Sequence, residues 1–191
     1  SIPLKLFYGQ FLNRIKCTGC QNISNYFESY CVIHLSITSK TNTLDDCIDS
    51  YVLSKDLDHD NQINCEKCGK KCNGKMKTSV WRIPPILTLA FNRYDDEQKK
   101  ITKFIDFPLS NVNFGNLVEK ASDKTCSYDL VAIGNHRGDL NGGHYWAFTK
   151  SMDGKWYEYD DDEVTEITDS KCVVTSNAYY LVYVRRGISV N

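Results

Sequence analysis

Residues 142–148 read GGHYWAF, and residues 156–162 read WYEYDDD. Each stretch contains an aromatic, apolar run that is typical of a β-strand, and a Met-Asp-Gly turn at residues 152–154 lies between them. If the two strands pair as a hairpin, the start of the first lies beside the end of the second, so that His144 meets Asp160. A carboxylate beside an imidazole fixes the tautomer of the ring and favours its protonated form. The pattern therefore predicts the general-base half of a catalytic triad.

The two glycines before the histidine support this interpretation. Gly142 and Gly143 tolerate positive φ and let another backbone come close, so His144 can face an open cleft. The alternative is a satisfied core histidine beside an acid-rich turn, which is the commoner situation for an isolated histidine. The glycine pair and the hairpin register together favour the catalytic interpretation. Asp161 is either an assistant to Asp160 or a solvated turn acid, and the sequence leaves both readings open.

The composition is that of a chain with a packed core and a balanced surface charge. The 191 residues include 23 basic and 24 acidic side chains, with a formal net charge of -1, and 41% of them are hydrophobic. This length allows one sizeable domain or two small lobes. A zinc-ribbon protein that binds nucleic acid would need clustered basic residues, and the balanced charge argues against that function. There is no apolar run long enough to span a bilayer and no lipidation or export signal, so we expect no membrane partner.

Four of the nine cysteines form two CxxC pairs, Cys17 with Cys20 and Cys65 with Cys68. Both sulfurs of a CxxC turn can face one ion, and two such turns complete a tetrahedral site for structural Zn2+ with no open position. A redox CxxC is the rival interpretation for either pair alone, but two pairs favour zinc. Metal-binding cysteines indicate a reducing compartment, so we expect an intracellular protein, cytoplasmic or nuclear. Cys72 either replaces one ligand or stays free.

The remaining chain is predicted to be β-rich with few helices. Thr43 is a good N-cap for a short helix, on which Leu44, Cys47, Ile48 and Tyr51 share one face. Apolar and aromatic runs predict further strands at 11–16, 75–82, 86–91, 102–107, 128–135 and 179–184, and the run at 23–37 predicts a bent strand or a hairpin arm.

Taken in chain order, these features resemble the C-terminal part of the catalytic domain of the ubiquitin-specific proteases, which are cysteine deubiquitinases. The histidine box of that family is resembled by YDLVAIGNH at 128–136 and GHYWA at 143–147, and its acidic end by WYEYDD at 156–161. Other resembling stretches are FYGQ at 7–10, the two CxxC pairs, IPPILTL at 83–89, NRY at 92–94, FPL at 107–109 and YYLVY at 179–183. The similarity extends over essentially all 191 residues.

The resemblance implies an α+β, β-rich fold of the papain-like cysteine peptidase superfamily, with an antiparallel palm sheet and zinc-ribbon fingers. It implies that residues 1–191 form a partial ubiquitin-specific protease catalytic domain. Residues 1–82 would be the fingers, with the zinc ribbon and a short helix, and residues 83–191 the palm with the His and Asp of the triad. No segment resembles the family's nucleophile box, so we expect the lobe that carries the nucleophilic Cys, the thumb, to be missing from this chain.

The implied activity is deubiquitination, the thiol-dependent hydrolysis of isopeptide and peptide bonds at the C-terminus of ubiquitin. His144 would accept the thiol proton, Asp160 would orient the ring, and Asp161 would assist Asp160 or the oxyanion region. The implied partners are ubiquitin or a ubiquitinated protein and the N-terminal lobe as a separate segment. Without that lobe the chain is expected to be inactive. The alternative is a non-catalytic ubiquitin-binding scaffold that keeps the fingers and the palm for recognition.

Overall fold

The computed structural model describes residues 2–119 and 126–188. The elements in chain order are α1 (Ile2–Phe7), β1 (Gly9–Cys17), β2 (Ile23–Tyr30), β3 (Val32–Ser36), α2 (Leu44–Val52), β4 (Lys55–Leu57), β5 (Ile63–Cys65), β6 (Lys70–Cys72), β7 (Gly74–Arg82), β8 (Ile86–Asn92), β9 (Val112–Asn113), β10 (Ser127–Gly138), β11 (Gly143–Lys150), β12 (Trp156–Asp160), β13 (Glu163–Ile167) and β14 (Ala178–Arg185). No helix among the described residues is long and apolar enough to cross a membrane.

The larger sheet has eight strands in the order β13-β12-β11-β10-β14-β8-β3, with β9 paired to β10. Its strands are antiparallel except for β3, which runs parallel to β8. Leu89, Ile133 and Leu181 are fully or almost fully buried and share one face, because Leu181 lies opposite both of the others in the ladder. Residues of α2 and of the segment from 101 to 118 complete the core on that face. The predicted α+β, β-rich architecture is confirmed.

The short helix α2 begins where the sequence predicted. The Thr43 hydroxyl accepts a hydrogen bond from the backbone N–H of Asp46 at 3.1 Å, and the Asp46 carboxylate accepts one from the N–H of Thr43 at 2.9 Å. This reciprocal capping box satisfies two of the backbone donors that a helix start leaves unpaired. The helix buries Leu44, Cys47 and Ile48 against the larger sheet. It thereby covers the core face of the larger sheet at its β3 edge.

A smaller sheet of four strands, in the order β2-β1-β7-β4, projects from this core and ends near Cys17 and Gly74, which lie opposite each other. The two-stranded ladder of β5 and β6 lies beyond it. Few side chains of this sheet are buried, so the projection has little apolar core of its own. The division of the chain at residue 82 stays a prediction. β3 precedes that residue and yet belongs to the larger sheet.

Three local predictions differ from the structure. The segment 102–107 is wrong as a strand, because side-chain and loop donors take its carbonyls. Arg93 donates to the Lys103 carbonyl at 2.9 Å, and the Leu44 N–H donates to the Asp106 carbonyl at 2.7 Å. The run at 23–37 divides at Cys31 into β2 and β3, which enter different sheets. The polar edge strand β13 was not predicted, since its exposed residues lack an apolar pattern.

Candidate active site and metal centre

The hairpin of β11 and β12 brings His144 and Asp160 together. The ladder pairs Ala147 with Tyr159 and Phe148 with Glu158, and the next step of this register sets Trp146 opposite Asp160. His144 lies two residues before Trp146, so both side chains and the Asp160 carboxylate leave the same face of the hairpin. The His144 Nε2 atom is hydrogen-bonded to the Asp160 Oδ1 atom.

This contact decides which imidazole nitrogen is available for chemistry. An ionised carboxylate can only accept a hydrogen bond, so in this contact Nε2 carries the proton. The other nitrogen, Nδ1, is left as the acceptor of a proton from a reacting group. The two side chains are 38% and 44% exposed, and they border an open cavity of about 340 Å³. The pair can therefore act as an oriented base on a group that enters from solvent.

Asp161 lies in the same cluster. It has a φ of 51° in the tight turn that joins β12 to β13, where Asp160 lies opposite Glu163. Asp tolerates this left-handed conformation better than most residues because its short polar side chain bonds locally. The ligand atoms of His144, Asp160 and Asp161 all lie within 4.8 Å of one another. The structure thus brings the three predicted residues together, while their roles stay a prediction.

A second histidine, His136, packs against this hairpin. His136 on β10 is 3% exposed, and its ring stacks on Tyr145 at 4.3 Å between centroids. The Lys100 ammonium lies 3.0 Å from His136 Nδ1 and donates to the His136 carbonyl at 2.8 Å. Burial and, to a lesser degree, this ammonium lower the pKa of His136, so the ring is neutral and Nδ1 accepts from Lys100. No pattern in the sequence indicated that Lys100 would lie against His136.

The glycine before His144 is required by close packing. A Cβ atom on Gly143 would lie 2.3 Å from His136 Nε2 and 2.6 Å from the Arg137 carbonyl oxygen, closer than real Cβ atoms come. The positive φ that the glycine-rich segment needs is found instead at Gly138, with φ 117°. Gly138 and Gly143 lie opposite each other at the end of the β10–β11 ladder. The residue before His144 therefore packs directly against the buried His136 ring.

The four cysteines of the CxxC pairs meet at the tip of the smaller sheet. Their Sγ atoms all lie within 4.8 Å of one another, and those of Cys20 and Cys65 are 3.5 Å apart. A zinc ion with four thiolates at about 2.3 Å places its sulfurs about 3.8 Å apart, so the residues present fit a tetrahedral site. Cys17, Cys20, Cys65 and Cys68 can therefore hold a metal ion. Cys72 lies outside this group of four.

The two CxxC turns have the same backbone geometry. The residue after each pair is left-handed, with φ 61° at Gln21 and 67° at Gly69, and its N–H donates to the carbonyl of the first cysteine at 3.0 and 2.8 Å. The backbone N–H of Cys20 is the main cause that lowers the pKa of Cys17 to about 6. A thiolate is the form that binds a metal. The backbone N–H of Cys68 acts in the same way on Cys65, but burial and the hydrogen bonds with the Cys20 and Cys17 side chains raise the pKa of Cys65 overall. The backbone of each turn thus favours the thiolate of its first cysteine.

The structure combines a β-rich fold, a projecting cysteine cluster and a histidine–aspartate pair at a cleft. Residues 1–183 match the family model described as ubiquitin carboxyl-terminal hydrolase. The chain belongs to this family, whose members are the ubiquitin-specific proteases, as the resemblance in the sequence indicated.

Relatives and solved structures agree with this assignment. Ubiquitin carboxyl-terminal hydrolase 21 of Homo sapiens is 34% identical over 188 residues, which are 93% of this chain and 32% of that protein. A probable ubiquitin carboxyl-terminal hydrolase of Acanthamoeba polyphaga mimivirus is 31% identical over 195 residues, 96% of this chain and 42% of that protein. The SAGA Ubp8/Sgf11/Sus1/Sgf73 DUB module bound to ubiquitin aldehyde matches with a TM-score of 0.83 and 28% identity over 99% of this chain and 43% of the solved one. The yeast SAGA DUB module with an altered Sgf73 subunit also has a TM-score of 0.83 at 28% identity, over 97% and 42%. The chain thus spans less than half the length of these relatives.

Proposed function

We propose that this chain provides the imidazole base and its orienting carboxylate to a thiol-dependent ubiquitin hydrolase. The contact of His144 with Asp160 at an open cavity, in a member of this family, is the observation that carries the proposal. The smaller sheet and the β5–β6 ladder are the fingers of that enzyme, and the larger sheet is its palm. The related structure bound to ubiquitin aldehyde supports ubiquitin as the partner.

The free Nδ1 atom of His144 accepts the proton of an incoming cysteine thiol, and Asp160 stabilises the imidazolium through Nε2–H. The thiolate attacks the carbonyl carbon of the C-terminal glycine of ubiquitin, and donors of an oxyanion hole hold the tetrahedral intermediate. His144 then returns the proton to the departing lysine amine. Water hydrolyses the thioester and regenerates the thiol. Asp161, one residue further along the turn, assists Asp160 or the oxyanion region.

The nucleophile has to come from outside the cysteines of this chain. The cavity at His144 is lined by Arg137, His144 and the acids at 160–163, and no cysteine is among these residues. Four of the nine cysteines meet at the fingertip, and Cys47 is buried in α2. On this proposal the chain alone is inactive, and a further segment carries the thiol to Nδ1.

Joining the chain to the nucleophile-bearing N-terminal part of the human relative tests this proposal. The fused protein is expected to cleave a ubiquitin–fluorophore conjugate, and His144→Ala is expected to abolish cleavage. Asp160→Asn should reduce kcat about 10³-fold or more, because the amide no longer fixes the tautomer or stabilises the imidazolium. His34→Ala, at an exposed histidine on β3, is the control and should retain activity. A folded fusion that binds ubiquitin without turnover would defeat the enzymatic proposal.

The second candidate is a ubiquitin-binding scaffold without catalysis. It is favoured by the absence of any cysteine from the residues that line the His144 cavity. Titration of labelled ubiquitin against the chain alone measures this function. Binding by the chain, together with an inactive fusion, would select the scaffold. Binding together with an active fusion would select the hydrolase.

The four fingertip cysteines are proposed to hold one structural Zn2+. When bound, the ion would link the two CxxC turns and leave no open position for a substrate. Metal analysis of the purified chain should find about one zinc per chain, and Cys68→Ser should abolish it, while Cys172→Ser at an exposed position should not. The nine unpaired thiols also support a reducing intracellular compartment, cytoplasmic or nuclear.

A further inference from the structure

A buried asparagine lies on the core face of β10. Asn135 is 0% exposed and follows Ile133, also 0% exposed, at the next position on the same face. Among the described residues, neither its Nδ2 nor its Oδ1 atom has a hydrogen-bond partner. A buried amide without partners loses its hydrogen bonds to water and forms none in the folded protein. Native proteins therefore pair such groups with protein atoms or with ordered water. An apolar side chain would otherwise be expected at this position.

The residue opposite Asn135 has the same property. Trp146 is the cross-strand partner of Asn135 in the β10–β11 ladder. Its Nε1 atom is buried and also has no partner within the described part of the chain. Three unsatisfied polar atoms are thus carried by two side chains that face each other. Since they do not bond to each other directly, the arrangement is typical of groups that are bridged by water.

This pair lies directly beneath the candidate base. The Trp146 indole stacks on the His144 ring, with 6.1 Å between centroids and 16° between planes. The edge of Phe148 meets the indole from its other side, at 6.5 Å and 77°. The ladder between β10 and β14 shifts register between Gly134 and Asn135, a bulge of the kind that often re-aims side chains next to active sites. A change in the indole would therefore reach the imidazole through one ring contact.

We propose that ordered water is enclosed between Asn135 and Trp146 and fixes the orientation of the indole that stacks on His144. The Trp146 Nε1–H and the Asn135 Nδ2–H donate to this water, and the water donates to Asn135 Oδ1. Buried waters make about three hydrogen bonds to otherwise unsatisfied groups, and these two side chains supply three polar atoms. Asn135 and Trp146 are thus positioning residues. Their importance for catalysis rests on the proposed role of His144. The presence of the water does not depend on that role.

Nuclear magnetic resonance of the 191-residue chain tests the proposal without any turnover measurement. The Trp146 Nε1–H should exchange slowly with solvent and show cross-relaxation to a long-lived water. Asn135→Leu keeps the branched heavy-atom skeleton and removes both polar atoms. This variant should lose the water signal, raise the exchange rate of the indole proton about tenfold, and broaden the low-field proton shared by His144 and Asp160. Ile133→Val is the matched control on the same strand face and should leave all three signals unchanged.

A double-variant cycle separates a shared water from two independent defects. If one water site serves both residues, Asn135→Leu combined with Trp146→Phe should lose no more unfolding stability than the more damaging single change. Additive losses would overturn the shared site. So would an indole proton that contacts the Asn135 amide and no water, or a His144–Asp160 proton that Asn135→Leu leaves unchanged. Each of these results can occur whether or not the fused enzyme is active.

Discussion

Replacing Arg93 with methionine tests how the palm holds the strand end beside the candidate site. The guanidinium is fully buried, and among the described residues it forms no ion pair with a carboxylate. Its Nε donates to the Ala178 carbonyl at 2.6 Å, and its Nη1 donates to the carbonyls of Ile101 and Lys103 at 3.1 and 2.9 Å. Ala178 is also the β14 partner of Asn135. One cation therefore links the loop at 101–103 to the start of β14, which pairs with β10 at Asn135.

The expected magnitude follows from two opposing contributions. Three hydrogen bonds from a charged donor contribute about 1.5–3 kcal/mol each, so methionine forfeits about 5–9 kcal/mol. Burial lowers the pKa of Arg93 to about 10, a cost on the order of 3 kcal/mol for keeping the charge there. Methionine carries no charge, so the variant is free of this cost of burying a charge. The net loss of unfolding free energy is about 2–6 kcal/mol, or a fall in Tm of about 5–20 °C for a protein of this size.

Thermal unfolding followed by circular dichroism measures the effect. Arg93→Lys should lose most of the same stability, because one ammonium on a flexible stem does not reach all three carbonyls. Arg186→Met is the matched control, since it breaks an exposed ion pair with Asp129 at 2.8 Å, and such pairs contribute little. The reasoning would be refuted by an Arg93→Met variant whose Tm falls no further than that of Arg186→Met.

Three other predictions concern the site, the fingertip and the helix cap. Gly143→Ala should broaden or shift the His144–Asp160 proton because its Cβ meets His136, whereas Gly142→Ala, with open space around it, should not; equal spectra would refute this packing argument. Chelation of zinc should expose the β5–β6 amides to hydrogen exchange while those of β8 and β14 stay protected, and uniform exposure would show that the ion supports the whole fold. Asp46→Ala should lower Tm at neutral pH, and its deficit should shrink below about pH 4. The backbone N–H groups of Asn42 and Thr43 hold the pKa of Asp46 below its usual value, so that stability is present above this range and is lost as the pH falls; a pH-independent deficit would contradict the assignment.

The residues that sequence reasoning placed together are those joined by local pattern. The β11–β12 hairpin follows from two aromatic runs separated by a short turn, and its period of two sets His144 and Asp160 on one face. The CxxC pairs carry their own turn geometry within four residues each. The start of α2 was similarly readable, because the capping box lies within Thr43 and Asp46. Short sequence separation leaves few alternatives for such contacts.

Contacts between distant segments were not readable in this way. Lys100 approaches His136 across 36 positions of the chain, and Arg93 reaches Ala178 across 85. The segment 102–107 has a strand-like pattern. Its carbonyls, however, accept hydrogen bonds from the Arg93 side chain and the Leu44 N–H, so they are not available to a neighbouring strand. β3 joins the larger sheet although the strand just before it belongs to the smaller one.

By itself the sequence determined the histidine hairpin, the cysteine pairs and the family, because each depends on residue type and short spacing. Only the tertiary structure decided which imidazole nitrogen faces the carboxylate and that no cysteine is among the described residues lining the cavity beside it. It also decided that an asparagine and an indole face each other beneath the imidazole, with no hydrogen-bond partner for their buried polar atoms in the described part of the chain. These features depend on strand order, register and burial, which are set by the whole core rather than by any stretch of chain.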